Sequence, residues 1–122
     1  MSVNQVTWFE IGTDRPEVAE RFYGELFGWG FSDDAEQSMP YRLITAPGAG
    51  APAGGVFGTK GEVPNYAVFV VQVADVAATC AAAEAAGGKV LVPPQQGDGA
   101  LVFAHLHDPS GNHFGVFSDG TS

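Results

Sequence analysis

The chain carries 14 acidic and 5 basic residues in a total of 122, a formal charge of −9, and 45% of its residues are hydrophobic. That apolar content in a single domain's length folds into a globule and does not remain a disordered acidic tail. Five scattered Lys and Arg cannot build the basic patch that nucleic-acid backbones or anionic membrane surfaces require, so neither is expected as a partner. Cys80 is the single cysteine and forms no internal disulfide. The N-terminus has no basic segment leading into an apolar one, and no stretch approaches the roughly 20 apolar residues of a membrane span. A cytoplasmic protein is expected.

Period and punctuation divide the first half into five elements. Residues 6–11 (VTWFEI) alternate and are rich in aromatic and β-branched side chains, the pattern of a strand. Thr13 or Asp14 can cap a following helix, with Pro16 in its first turn and Glu17 near its positive end. Val18, Ala19, Phe22, Tyr23, Leu26 and Phe27 recur at helical spacing, Phe22, Tyr23, Leu26 and Phe27 read as core, and Gly28 is a natural stop. Strands follow at 29–31, 41–45 and 55–57, separated by a polar turn at 33–38 and a small-residue loop at 47–53 that could act as a lid. Residues 60–64 form a polar connection.

The same order then returns. Residues 66–73 read as a strand, Asp75 as the cap of a helix over 76–86, and Gly87-Gly88 as its end. Strands are expected at 89–92, stopped by Pro93-Pro94, at 100–107 and at 113–117. Between the last two, Asp108-Pro109-Ser110-Gly111-Asn112 has the chemistry of a tight turn. A shift of sixty residues places Phe9 on Phe69, Arg15 on Asp75, Gly28 on Gly88, and Gly55-Val56-Phe57 on Gly115-Val116-Phe117. One ungapped offset aligns strand, helix start, helix end and final strand, which is the mark of an internal duplication. The expected fold is α+β: two strand–helix–strand–strand–strand modules, residues 1–61 and 62–122, within one domain.

With this duplication, the opening Trp8-Phe9-Glu10-Ile11, the helix segment FYGELFGW at 22–29 and the turn DPSGN at 108–112 resemble the vicinal oxygen chelate superfamily of glyoxalases, bleomycin-resistance proteins and extradiol dioxygenases. The resemblance covers nearly the whole chain. It implies two modules whose sheets curl into an open cup for a small molecule, and usually a homodimer. Enzymes of this kind hold a divalent metal (Zn, Ni, Fe or Mn) with ligands from the first and last strand of each module. Those positions fall on Trp8, Gly55, Val68 and Gly115, none of which can ligate through its side chain. No cofactor is therefore expected, and the usual Lewis acid would be missing.

The resemblance then implies a binding cup, lined by Trp8, Glu10, Gly55, Phe57, Tyr66, Val68, His113 and Gly115. An indole at Trp8 suits stacking on a planar or apolar ligand, with room left by the glycines at 55 and 115. Trp29, Tyr41, Phe103 and Phe117 are not assigned to a face. Glu10 could serve as a base or as counterion to a cationic group, and Glu10 with His113 is the best starting point for a shifted metal site and for catalysis. His105 and His107, two apart on a strand, share a face and could also pair on a metal. Cys80 reads as small-residue packing. Three functions remain open. The first is metal-free sequestration of an apolar or aromatic, antibiotic-like ligand. The second is a lyase or isomerase resembling glyoxalase, for which Arg15, Arg21, Arg42, Lys60 and Lys89 are the whole basic supply. The third is a non-catalytic dimeric interaction domain.

Overall fold

A computed structural model describes residues 3–34 and 41–120. Its elements run β1 (Gln5–Thr13), α1 (Pro16–Phe27), β2 (Gly30–Asp33), β3 (Tyr41–Thr45), β4 (Gly54–Gly58), β5 (Tyr66–Gln72), α2 (Val76–Ala85), β6 (Lys89–Gln96), β7 (Val102–His107) and β8 (His113–Ser118). The order of the first five elements is that of the last five. Each strand and helix of the second set starts within two residues of its counterpart shifted by sixty. The chain divides into two compact units, Trp8–Ala67 and the remainder, and residues 3–7 group with the second set.

In the unit Trp8–Ala67 the strand order is β2-β3-β4-β1, with β1 parallel to β4 and the other neighbours antiparallel. Ile11, Ile44 and Val56 are buried on the sheet face that meets α1, joined by Phe9, Tyr23, Trp29 and Phe31. Trp29 anchors this cluster, stacked on Tyr23 at 5.4 Å and against Phe9 and Phe27 at 5.6 and 5.3 Å. Arg42 ties β3 to α1 through both Glu20 oxygens, at 3.0 and 3.1 Å, and reaches Asp33 at 2.7 Å.

Not all of α1's apolar residues are core. Phe22 and Leu26 are each 57% exposed, and Val18 and Phe27 are also exposed. The six apolar positions form two rows four residues apart. The row 19–23–27 meets the sheet through Tyr23, with Phe27 at its end against Trp29 and half exposed, and the row 18–22–26, turned about 100° away, faces outward. The helix start also differs from expectation. Arg15 is the capping position, without a side-chain bond. Thr13 Oγ1 instead accepts from the Arg15 N–H, and Asp14 exchanges hydrogen bonds with Asn65. Gly28 ends α1 in the left-handed conformation, φ 73°.

The second unit has the order β5-β8-β7-β6, again with its first and last strands parallel. Val73, Val76, Cys80, Ala104, Leu106 and Val116 form its core under α2. Burial of each of the larger side chains stabilises by about 1.5–3 kcal/mol. Asp75 caps α2 as expected, its Oδ1 accepting from the Ala78 N–H at 2.9 Å. Cys80 packs in this core, where burial raises its thiol pKa. The strand at 89–92 does not stop at the prolines: β6 runs through Pro93-Pro94 to Gln96. It can do so because it is the last strand in its order and its pairing to β7 shifts register on either side of Val92, relieving the missing donors. In the 108–112 turn Asp108 Oδ1 accepts the N–H groups of Ser110 and Asn112, both at 2.9 Å. The Asn112 side-chain amide donates to the other oxygen, and these bonds, that amide first, lower the Asp108 pKa. The turn expected at 33–38 lies largely outside the described residues. No helix among the described residues is long and apolar enough to cross a membrane.

Candidate functional site

Strand alternation gives each sheet a second face, opposite its helix. In the unit Trp8–Ala67, Phe9 and Ile11 point to the core, so Trp8, Glu10 and Gly12 lie on the other side. The register carries that face across the sheet: Glu10 pairs with Gly55 and Gly55 with Leu43, while Gly12 pairs with Phe57 and Phe57 with Tyr41. Trp8, Glu10, Tyr41 and Phe57 are thereby assembled from three strands, and Tyr66 joins them from the start of β5.

Their polar atoms form one chain. Trp8 Nε1 donates to Tyr41 Oη at 2.9 Å, and Tyr41 Oη donates to Glu10 Oε1 at 2.9 Å. Tyr66 Oη donates to Glu10 Oε2 at 2.6 Å, the short distance of a hydroxyl on a carboxylate. Both phenols are held well above the usual tyrosine range, first by burial and then by the adjacent Glu10 charge. They stay protonated donors across any physiological pH.

Two glycines make this arrangement fit. A Cβ on Gly55 would overlap the Tyr41 ring, and one on Gly12 would overlap the Tyr66 ring. The rings lie flat over bare backbone and bring both hydroxyls onto the carboxylate between them. This corrects the expectation for Gly55, whose space is taken by Tyr41 and not kept for a ligand or for the Trp8 indole. Gly54 serves the opposite face in the same way, under Phe9.

In the second unit the helix-free face carries Val68, His113 and Gly115, with Phe103, His105, His107 and Phe117. His113 Nε2 lies 2.8 Å from His105 Nδ1, and the His107 ring centroid is 6.0 Å from that of His113. His105 and His107 do share a face, but the close contact is the one across the strands. A Cβ at Gly115 would touch Val70 at 3.4 Å, an ordinary contact, so packing does not demand glycine there.

The sequence-derived site residues thus fall into two groups. Trp8, Glu10, Gly55, Phe57 and Tyr66 are brought together in one unit, and Val68, His113 and Gly115 lie on the helix-free face of the other. Tyr41 is the residue that sequence reasoning left unassigned. Its signal was the strand glycine Gly55, which marks a close approach by another group. The donor set does not fit a metal at the family positions. Trp8 donates a hydrogen bond, and Gly55 is covered by a phenol ring. Among the described residues no group of three or more His, Cys, Asp or Glu is placed to hold a metal ion.

Duplicated βαβββ units, each with a helix on one sheet face and an aromatic, polar opposite face, define a glyoxalase-type fold. Residues 4–116 match the profile of the Glyoxalase/Bleomycin resistance protein/Dioxygenase superfamily, and the chain belongs to that family. Among curated proteins it is 34% identical over 121 residues to a glyoxylase-like domain-containing protein of Didymella fabae, covering 88% of each chain. It is also 34% identical over 110 residues to CFP32 of Mycobacterium bovis, named as a candidate glyoxylase; the match takes in 89% of this chain and 42% of that one. The chain therefore spans less than half of that relative. Solved structures share the fold. A Mn(II)-bound glyoxalase from Novosphingobium aromaticivorans aligns with TM-score 0.60 and 24% identity, over 96% of this chain and 39% of that one. A Streptomyces coelicolor methylmalonyl-CoA epimerase variant in complex with 2-nitronate-propionyl-CoA aligns with TM-score 0.64 and 18% identity, over 98% and 97%.

Proposed function

We propose that the chain is a small-molecule-binding member of its superfamily that holds a planar, apolar ligand without a metal, by sequestration and not by turnover. The observation that carries this reading is the Trp8–Tyr41–Glu10–Tyr66 chain. It fixes aromatic side chains around a carboxylate on the sheet face opposite α1. Aromatic walls with a few placed polar groups are the common composition of ligand sites. Hydrogen bonds that lock the rings lower the entropy lost on binding. We take the ligand to be antibiotic-like and the working form to be a homodimer in the cytoplasm.

The test is elemental analysis of the purified chain together with titration of 1-naphthylmethanol before and after treatment with EDTA. Metal-independent binding that is lost in Trp8→Ala supports the reading. Stoichiometric metal whose removal abolishes binding overturns it.

A second reading, a glyoxalase-like lyase, is favoured by the names of the curated relatives. It would use Glu10 and His113, which lie in different units. Turnover of the methylglyoxal–glutathione adduct that disappears in both Glu10→Ala and His113→Ala would establish it in place of the first. Wild-type turnover in the double variant would reject those roles.

A further inference from the structure

The internal duplication supplies a built-in comparison for the outward row of α1. A shift of sixty residues pairs the helix starts Arg15 and Asp75, and it pairs Tyr23 with Ala83, each of which packs on the core of its own unit. In that register Val18, Phe22 and Leu26 correspond to Ala78, Ala82 and Ala86, and all six residues are exposed. α2 lies on its sheet with alanine throughout the row, so the fold asks for no large side chain there. Helix formation gives no reason either, since Val and Phe form helices less readily than Ala. Yet α1 holds Phe22 and Leu26 each 57% exposed and Val18 42% exposed.

The size and spacing of the row say what it fits. Its three side chains present on the order of 300 Å² of apolar surface, the range in which exposed patches mark interaction sites. Two copies joined there bury about 600 Å² of apolar area. With a little over half of a specific interface apolar, the whole contact comes to about 1,000 Å², the size a specific association needs. Residues four apart form a single ridge, and two such ridges interdigitate at a crossing angle of about −50°. About a two-fold axis through Phe22, Val18 of one copy lies beside Leu26 of the other, a small side chain against a large one. The exposed Arg21 and Glu25 flank the row as a charged rim.

We propose that the row Val18–Phe22–Leu26 is the interface of a symmetric dimer, α1 against α1, which rests on the homodimer taken above as the working form. A second copy is the occupant because the ridge is complementary to itself and because α1 alone of the two helices carries it. A patch that meets its own copy closes at two chains, whereas docking of the row on another copy's α2 would leave both ends open and propagate.

The test is sedimentation equilibrium of the full chain over a range of concentrations. The triple variant Val18→Ala, Phe22→Ala, Leu26→Ala gives α1 the row that α2 already has. It is expected to raise the dimer dissociation constant at least about thirtyfold. Val63→Ala, which removes another apolar side chain that is 46% exposed, should leave the constant unchanged. Helix axes 8–10 Å apart at the crossing leave the two Phe22 Cα atoms about 4–6 Å apart, within disulfide reach. The single native thiol, Cys80, is buried. Under mild oxidation Phe22→Cys should therefore trap a covalent dimer, and Ala82→Cys should not. If the triple variant fails to fold, this trapping decides alone. A wild-type dimer that is insensitive to the triple variant and is not trapped by Phe22→Cys overturns the interface and leaves the homodimer standing. A wild-type chain that is monomeric at every concentration overturns both, and growth into larger assemblies overturns the closed symmetric contact.

Discussion

Removal of the Tyr66 hydroxyl, with and without the Glu10 charge, is the most informative perturbation of the site. Tyr66→Phe keeps the ring over Gly12 and takes away one hydrogen bond, that to Glu10 Oε2 at 2.6 Å. A hydrogen bond to a charged acceptor contributes about 1.5–3 kcal/mol when well desolvated. Both residues here are only partly buried, which sets the expectation at the lower end, about 1–2 kcal/mol. For a chain of this size that is a fall in melting temperature of about 3–10 °C. The assay is urea unfolding of wild type, Tyr66→Phe, Glu10→Gln and the double variant, provided unfolding is two-state. Because both side chains belong to one network, the double variant should lose less than the sum of the singles, with a coupling of about 0.5–1.5 kcal/mol. Additivity within about 0.3 kcal/mol would refute the network as described, since it would mean the two groups do not sense each other.

Gly12→Ala and Gly55→Ala should each destabilise by about 1–3 kcal/mol, because the new methyl group displaces a tyrosine ring. In Gly55→Ala the shift should also alter Trp8 fluorescence, through the Tyr41 hydroxyl it donates to. Leu106→Ala, at a fully buried position, should cost about 2–5 kcal/mol in the same unfolding assay. Alkaline titration followed at 295 nm should show Tyr41 and Tyr66 ionising above the ordinary value near 10. Their folded pKa values are raised, so the stability they contribute is complete below about pH 10 and is lost as pH rises further. Stability that stays flat from pH 9 through 12 would contradict their burial.

Much of the fold is visible in the residues themselves. The sixty-residue offset needs only punctuation and period to be seen, and the structure repeats it with Arg15 and Asp75 as equivalent helix starts. The 108–112 turn is legible because its chemistry is local: Asp108 bonds to groups within four residues of itself. Failures arose where tertiary context decides. Pro93-Pro94 ends a strand only if both neighbours demand donors, and on β6 they do not. The outward row of α1 could not be told from the inward one without knowing the width of the sheet beneath it. Trp8, Glu10 and Tyr66 were within reach of alternation and family resemblance. Their link through Tyr41 depends on the register of β3 on β4 and on a ring lying over Gly55, and no single-strand pattern encodes that.

The site's central role is tested most directly by following the indole N–H resonance of Trp8 during titration of 1-naphthylmethanol in EDTA-containing buffer. The chain has two tryptophans, and Trp29 lies in the helix-side core. A saturable shift of the Trp8 signal, much larger than that of Trp29 and abolished by Tyr41→Phe or Gly55→Ala, is the predicted result. A Trp8 signal that does not move, or moves only when a divalent metal is restored, would contradict a metal-independent site built on this network.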